Sequence, residues 1–261
     1  MWSRVGSLAL FILATIAAPL RAADYGALAL YQQGEYAAAA DAATHEGGGA
    51  GFALAARAVL AEASLHDDPC LDCLKRAEDL ARRSVAADPL NVEGNLQLAV
   101  ALGYEARIIG AFRARFQRFP EQAKAAIDTA LKVAPEDPWT LASAGGFNIE
   151  VVRSGGRFFG NLLYDANFDD DVAYYKRAIA KNPDNAVIKL QYALSLTSYA
   201  FEERRTEIMA VLDSVAQSPH VDAYGEVMKM RAGMLLDLLH EDKRDGYLKL
   251  ARRYLGFSPD R

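Results

Sequence analysis

The sequence predicts an all-α protein, a solenoid of antiparallel helix pairs, and three observations carry that expectation. First, helix-like stretches run into a proline at Asp88-Pro89, Ala134-Pro135, Asn182-Pro183 and Ser218-Pro219. Proline ends a helix because it lacks an amide donor and clashes with the preceding turn. Second, the residue five before each proline is small (Ser84, Ala130, Ala178, Ser214), and so is the residue ten after the first three (Ala99, Gly145, Ala193). Small side chains on both sides of a stop let two helices approach closely. Helix, stop and helix repeated at a period of tens of residues is the pattern of an α-solenoid. Third, helix formers dominate a chain of 261 residues that is 52% hydrophobic and 24% charged, enough apolar material for a core and too much for disorder.

The elements follow in order. Arg4 precedes an uncharged, largely apolar run from Val5 to Ala18, fourteen residues long; a spanning helix needs about 20. With Pro19, Ala22 and Ala23 behind it, the run reads as a secretory signal over residues 1–22, cut near Ala22 or Ala23. No cysteine directly follows to carry a lipid. The expectation is export to a bacterial periplasm of a solenoid over 23–257, with a polar tail over 258–261. The net charge of −5 becomes more acidic without residues 1–22, which hold Arg4 and Arg21 and no acid. That argues against nucleic acid as a partner, since nucleic-acid binding needs a basic footprint.

Tyr25 to Glu46 reads as a first hairpin, turning at Gly34-Glu35-Tyr36 and closed by Gly47-Gly48-Gly49. Phe52 to Leu65 with Leu71 to Ala87 form the second pair, Val92 to Arg107 with Glu121 to Val133 the third, and Pro138 to Val152 with Asp169 to Lys181 the fourth. Ala186 to Tyr199 with Arg204 to Ala216 form the fifth, and Val221 to Leu239 with Asp242 to Tyr254 close the array, giving five to six pairs in all.

Successive prolines are 46, 48 and 36 residues apart, so the third and fourth units carry insertions. The first, 106–120 (ARIIGAFRARFQRFP), sets Arg113, Arg115 and Arg118 among Ile and Phe side chains at helical spacing and reads as one amphipathic basic helix. The second, 153–168 (RSGGRFFGNLLYDANF), holds Phe158, Phe159 and Tyr164 and reads as too glycine-rich for a plain helix. Insertions in solenoids fall on one face, often the binding face. These two either fold back to fill the groove or present a surface to a hydrophobic partner or an anionic membrane.

Gly34-Glu35-Tyr36 with Ala39, then Ala77, Ala81, Ser84 and Pro89, then Ala123, Ile127, Ala130 and Pro135, resemble the tetratricopeptide repeat. The resemblance covers nearly all of 23–257. The first-helix matches are Leu98-Ala99, Ala144-Gly145 and Tyr192-Ala193. Later copies degenerate: Asp171 and Glu207 stand where a small residue is expected, and Lys229 does so in the last first-helix. The usual repeat of that family is about 34 residues. The resemblance implies a concave face made by the first helices, with Glu93, Leu96, Gln97, Val100, Tyr104, Trp139, Glu150, Gln191 and Leu194 on it. Some members grip a C-terminal carboxylate with Asn, Lys and Arg; the corresponding positions here are neutral Gln97, Ser143 and Gln191, which make no such clamp.

Cys70 and Cys73 make a Cys-x-x-Cys at the start of a predicted helix. Leu74 stands where haem attachment needs His, and zinc would lack a good fourth ligand beside His66. A local disulfide fits an oxidising compartment; thiol–disulfide exchange is the competing reading. His45, His66, His220 and His240 form no metal or nucleophile motif, and no phosphate loop follows Gly145-Gly146 or Gly155-Gly156. The expected function is therefore non-enzymatic and needs no cofactor or metal: an exported adaptor that offers a groove to a peptide or protein of the cell envelope. The alternatives are a carrier of a small apolar ligand held under 158–168, or a thiol-active protein using Cys70 and Cys73.

Overall fold

The computed structural model describes residues 26–66, 70–164 and 168–257, and the side chains of these outside 155–171. The expected signal (1–22), the tail (258–261) and the side chains of Phe158, Phe159 and Tyr164 lie outside that description. Every regular element among the described residues is a helix. α1 (Ala27–Gln32) pairs with α2 (Tyr36–Glu46), α3 (Gly48–Leu65) with α4 (Leu71–Ala87) and α5 (Val92–Ile109) with α7 (Phe119–Val133), the short α6 (Ala111–Phe116) lying between the last two. α8 (Pro138–Tyr164) pairs with α9 (Phe168–Lys181), and α11 (Ala223–His240) with α12 (Arg244–Tyr254).

α10 (Ala186–Ala216) is itself a hairpin. Ala200, at φ −140° and ψ 42°, breaks it into two arms. The Tyr192 hydroxyl donates to Glu207 at 2.7 Å and Lys189 Nζ to the Ser214 carbonyl at 2.9 Å, contacts that only antiparallel arms can make. Burial holds the Lys189 ammonium below its ordinary pKa, with nearby Asp184 pulling the other way; the hydrogen bonds to Ser214 and Ser218 satisfy it.

Each proline stop is also a start. The residue two or three after the proline caps the next helix: Asn91 accepts from Gly94 N–H, Asp137 from Thr140, Asn185 from Ile188 and Asp222 from Gly225, all at 2.7–2.9 Å. A side-chain oxygen at this position satisfies one of the donors a helix leaves open at its first turn. One loop thus ends a helix, reverses the chain and nucleates the next.

The small residues lie where helices touch. Ser84, Ala99, Ala130, Ala178 and Ala193 are buried, as is Gly145; Ser214 is half-buried and bonds back to Val211. The closest approach is at Ser84 on α4, whose hydroxyl donates to the Gly49 carbonyl at 2.7 Å while lying under Gly94 of α5. A Cβ on Gly94 would stand 2.1 Å from that hydroxyl oxygen. At Gly146 of α8 an added Cβ would stand 2.8 Å from the Tyr175 hydroxyl of α9. Two apolar cores result, one around α1–α7 and one around α8–α12, with Tyr174 and Tyr224 packed against both.

The structure corrects both insertions. Segment 106–120 is not one helix: Gly110 at φ +90° and Arg118 at φ +58° each break the turn, leaving the six-residue α6 between them. Segment 153–168 is largely helical, because α8 runs on through Gly155, Gly156 and Gly160 to Tyr164. Each glycine costs a helix about 1 kcal/mol relative to alanine; α8 pairs with α9, and tertiary packing of this kind commonly outweighs propensity.

One buried carboxyl stands out. Glu105, on α5, is 2% exposed, and its Oε1 has no hydrogen-bond partner. Burial, a hydrogen bond with Glu78 and the charge of Glu78 raise its pKa to about 7. The unfolded chain would titrate this group in the ordinary carboxylate range. Its contribution to stability is therefore full below that range and is lost as pH rises through about 7.

Two outcomes follow for thermal melts. Gly94→Ala should cost 1–3 kcal/mol, the usual range for overpacking, and so lower Tm by several degrees. Glu105→Gln keeps a donor for Glu78 and removes the buried charge, so it should raise Tm at pH 8 and leave it nearly unchanged near pH 4. A gain of equal size at both pH values would show that the Glu105 charge is not what matters.

Candidate functional site

The first helices of the successive pairs line one concave cavity of about 1340 Å³. Its floor is apolar: Leu96 and Val100 from α5, Phe147 from α8 and Val187 from the first arm of α10. Trp139, 44% exposed, stands in its wall, and Leu28 and Val221, 50% and 66% exposed, also line it. Gln97, Ser143 and Gln191, at matching positions on α5, α8 and α10, also face the cavity. None of the three makes a hydrogen bond to another described residue, so their donors and acceptors point into the groove unused.

Two groups of charges on the wall are matched internally. Arg57 Nε lies 3.2 Å from Glu93 Oε1, and its guanidinium sits 4.6 Å over the Tyr31 ring. Burial pushes the Glu93 carboxyl above its usual pKa, and Arg57 only partly offsets this. Further along, burial also works against the Glu150 charge, but Arg107 at 3.5 Å, Arg153 and the Ser154 hydroxyl at 3.0 Å hold its carboxyl below the ordinary range.

Two contacts turn the row of pairs into an enclosed groove. On one side α11 returns to the first two pairs: Tyr224 and Ser64 share a hydrogen bond at 3.0 Å, and Arg231 donates to the Ser64 carbonyl at 2.5 Å. The Tyr36 and Tyr224 rings meet edge to face, with centroids 6.2 Å apart. On the other side the segment after α12 dips inward. Arg107 Nη1 donates to the Leu255 carbonyl at 2.6 Å, and Leu255 is buried in the second core. Gly256, at φ +80°, comes so near Tyr104 that a Cβ would lie 2.7 Å from the ring. The Phe257 ring is flanked by Arg252, Arg153 and Arg107 at 4.6, 4.9 and 5.5 Å.

Of the sequence-derived groove residues, Glu93, Leu96, Gln97, Val100, Tyr104, Trp139, Glu150 and Gln191 all line this cavity. Leu194 does not; it is 1% exposed and belongs to the second core, because the inner face of α10 ends at Gln191 and Ser195. Tyr31, Arg57, Arg107, Tyr224 and Phe257 also line it and were not foreseen. Arg57 carried a signal, being the one basic residue in the Ala-rich stretch from Gly48 to Leu65. Tyr224 and Phe257 reach the cavity only because the array closes on itself. In the first insertion, Arg115 and Phe119 line the cavity, whereas Phe112, Arg113, Phe116 and Arg118 project away from it into solvent.

Cys70 and Cys73 are joined by a disulfide at the start of α4. Cys70 Sγ also accepts from the Cys73 N–H at 3.2 Å, in the role of an N-cap. No residue of α4 lines the cavity. Among the described residues no three His, Cys, Asp or Glu side chains converge as metal ligands, and His220 pairs with Glu226 at 2.9 Å. No helix among them is long and apolar enough to cross a membrane.

If Arg107 pins the C-terminal segment, Arg107→Ala should speed amide exchange at Leu255–Phe257 selectively. It should also lower stability by about 1–3 kcal/mol, the cost of removing a partner from a buried hydrogen bond. Unchanged exchange there would show that the segment is held by Leu255 packing alone.

Comparison with known proteins leaves the fold as the common ground. No protein-family model matches the chain, and no curated protein matches it. The crystal structure of a thermophilic tetratricopeptide-repeat protein from Thermus thermophilus is similar, with a TM-score of 0.56 and 20% identity over 80% of this chain and 95% of that one. The stacked antiparallel pairs, the small residues at their contacts and this likeness agree: the chain folds as a tetratricopeptide-type α-solenoid.

Proposed function

We propose that the chain is an exported, non-enzymatic adaptor whose groove holds an extended peptide, or an extended segment of a protein, in the cell envelope. One observation carries the reading: Gln97, Ser143 and Gln191 repeat at equivalent positions on successive first helices, line the same cavity and have no hydrogen-bond partner among the described residues. An extended backbone offers alternating N–H and C=O groups. A glutamine amide can both donate and accept, and a serine hydroxyl can too, so a ladder of them suits backbone whatever its side chains. The apolar floor at Leu96, Val100 and Phe147 then favours hydrophobic side chains on the bound segment.

Charge and size support the same choice. On the wall Arg57 neutralises Glu93, and Arg107 and Arg153 neutralise Glu150, to which the Ser154 hydroxyl donates. A carrier of a small apolar molecule needs a cavity of roughly 300–1,000 Å³; about 1340 Å³ is generous for that and better filled by several residues of peptide. The apolar run after Arg4 supports export.

Phage-displayed peptides selected on the purified chain, then titrated while Trp139 fluorescence is followed, test this reading. Binding should perturb Trp139, which lines the cavity. Replacing Gln97 and Gln191 together with Leu should weaken it at least ten-fold, since each leaves a backbone group of the ligand unpaired at about 1–3 kcal/mol. Failure to enrich any peptide, or full affinity in the double variant, would contradict it.

A further inference from the structure

The short helix α6 carries two aromatic rings that neither the cores nor the groove use. Phe112 and Phe116 are 86% and 84% exposed, the most exposed of the large hydrophobic side chains described. At i and i+4 they emerge on one face of the helix. That exposure does not come from a loose segment. Ala114, on the opposite side, is 2% exposed, and Phe119 just beyond is 7% exposed. Gly110 and Arg118, both at positive φ, turn the chain sharply at each end of α6. The fold therefore holds the two rings outward.

Their setting is basic in an otherwise acidic chain of net charge −5. Arg113 and Arg118 are exposed and make no ion pair with a described residue, while Arg115 is tied to Glu121 at 2.8 Å. Aromatic rings beside unpaired arginines suit the boundary between lipid headgroups and acyl chains, where the rings insert and the guanidinium groups meet anionic headgroups. A second copy of the chain fits less well, because a two-fold contact would bring the same arginines face to face.

We infer that Phe112 and Phe116, with Arg113 and Arg118, form a peripheral docking site for an anionic lipid surface, separate from the groove. Two rings and two arginines give weak, reversible attachment rather than an anchor. The site would hold the solenoid against a membrane with its groove still open to a partner.

The test uses the full chain carrying Phe112→Trp with the native Trp2 and Trp139 changed to Phe, so that its fluorescence reports on α6 itself and not on residues 1–25 or the groove. Vesicles of phosphatidylglycerol with phosphatidylcholine should shift its emission to the blue, brominated lipid should quench it, and added salt should reverse both. Arg113→Ala with Arg118→Ala in the same background should weaken the response about 25-fold, from roughly five-fold for each basic group near an anionic surface. Phe116→Ser should weaken it as well. The helical circular dichroism should stay unchanged, since all these side chains are exposed. No shift with anionic vesicles, or an equal shift with phosphatidylcholine alone, overturns the inference. So does a concentration-dependent dimer, or a complex with an acidic protein, that is lost on Phe112→Ser and Phe116→Ser while vesicles have no effect.

Discussion

The return of α11 to the first two helix pairs is the constraint on which the rest depends. A row of hairpins that met only its neighbours would offer an open concave face. Here the Tyr224 hydroxyl and the Arg231 guanidinium both end on Ser64, and Ala223 lies against the turn at Gly34. That contact spans some 160 residues of sequence. It converts the concave face into a cavity with two walls, and the Arg107 bond to the Leu255 carbonyl narrows it from the other side.

Closure of this kind depends on how tightly each pair stacks on the next, and this is why side-chain size matters more than side-chain chemistry at the contacts. Ser84 touches Gly49 and Gly94 together, and the Tyr175 hydroxyl rests where Gly146 has no side chain. Enlarging any of these changes the angle between neighbouring pairs, and small angular errors accumulate along a solenoid. The proline loops act in the same direction. A stop at Pro89, Pro135 or Pro183, followed two residues later by a capping Asn91, Asp137 or Asn185, fixes where each next helix begins.

The helix pairs were legible because their cause is local: a proline and a small residue at a set distance leave a mark in any single stretch of chain. Most of the groove was legible because the family resemblance implies that the first helices line it, and helical period then gives the inner face of α5 or α8. Leu194 was misplaced because period gives the direction of a side chain but not where the neighbouring helix begins to cover it. The insertions were misread because their conformation is decided by partners distant in sequence. A lone Gly110 costs a helix less than Gly155, Gly156 and Gly160 together, yet the first ends α5 and the others lie within α8. The closure itself has no sequence pattern at all; Tyr224 and Phe257 become groove residues only once the whole array is stacked.

A disulfide engineered across the closure tests it most directly. A Cβ built on Gly34 lies 3.1 Å from the Ala223 Cβ, close to the separation of about 3.5–4.5 Å that a disulfide requires. In Gly34→Cys with Ala223→Cys, mild oxidation of the folded chain should consume both new thiols and give a species of altered mobility on a non-reducing gel. If both thiols stay free in the folded protein while the helical signal is intact, the first and last pairs do not meet, and the groove is open rather than enclosed.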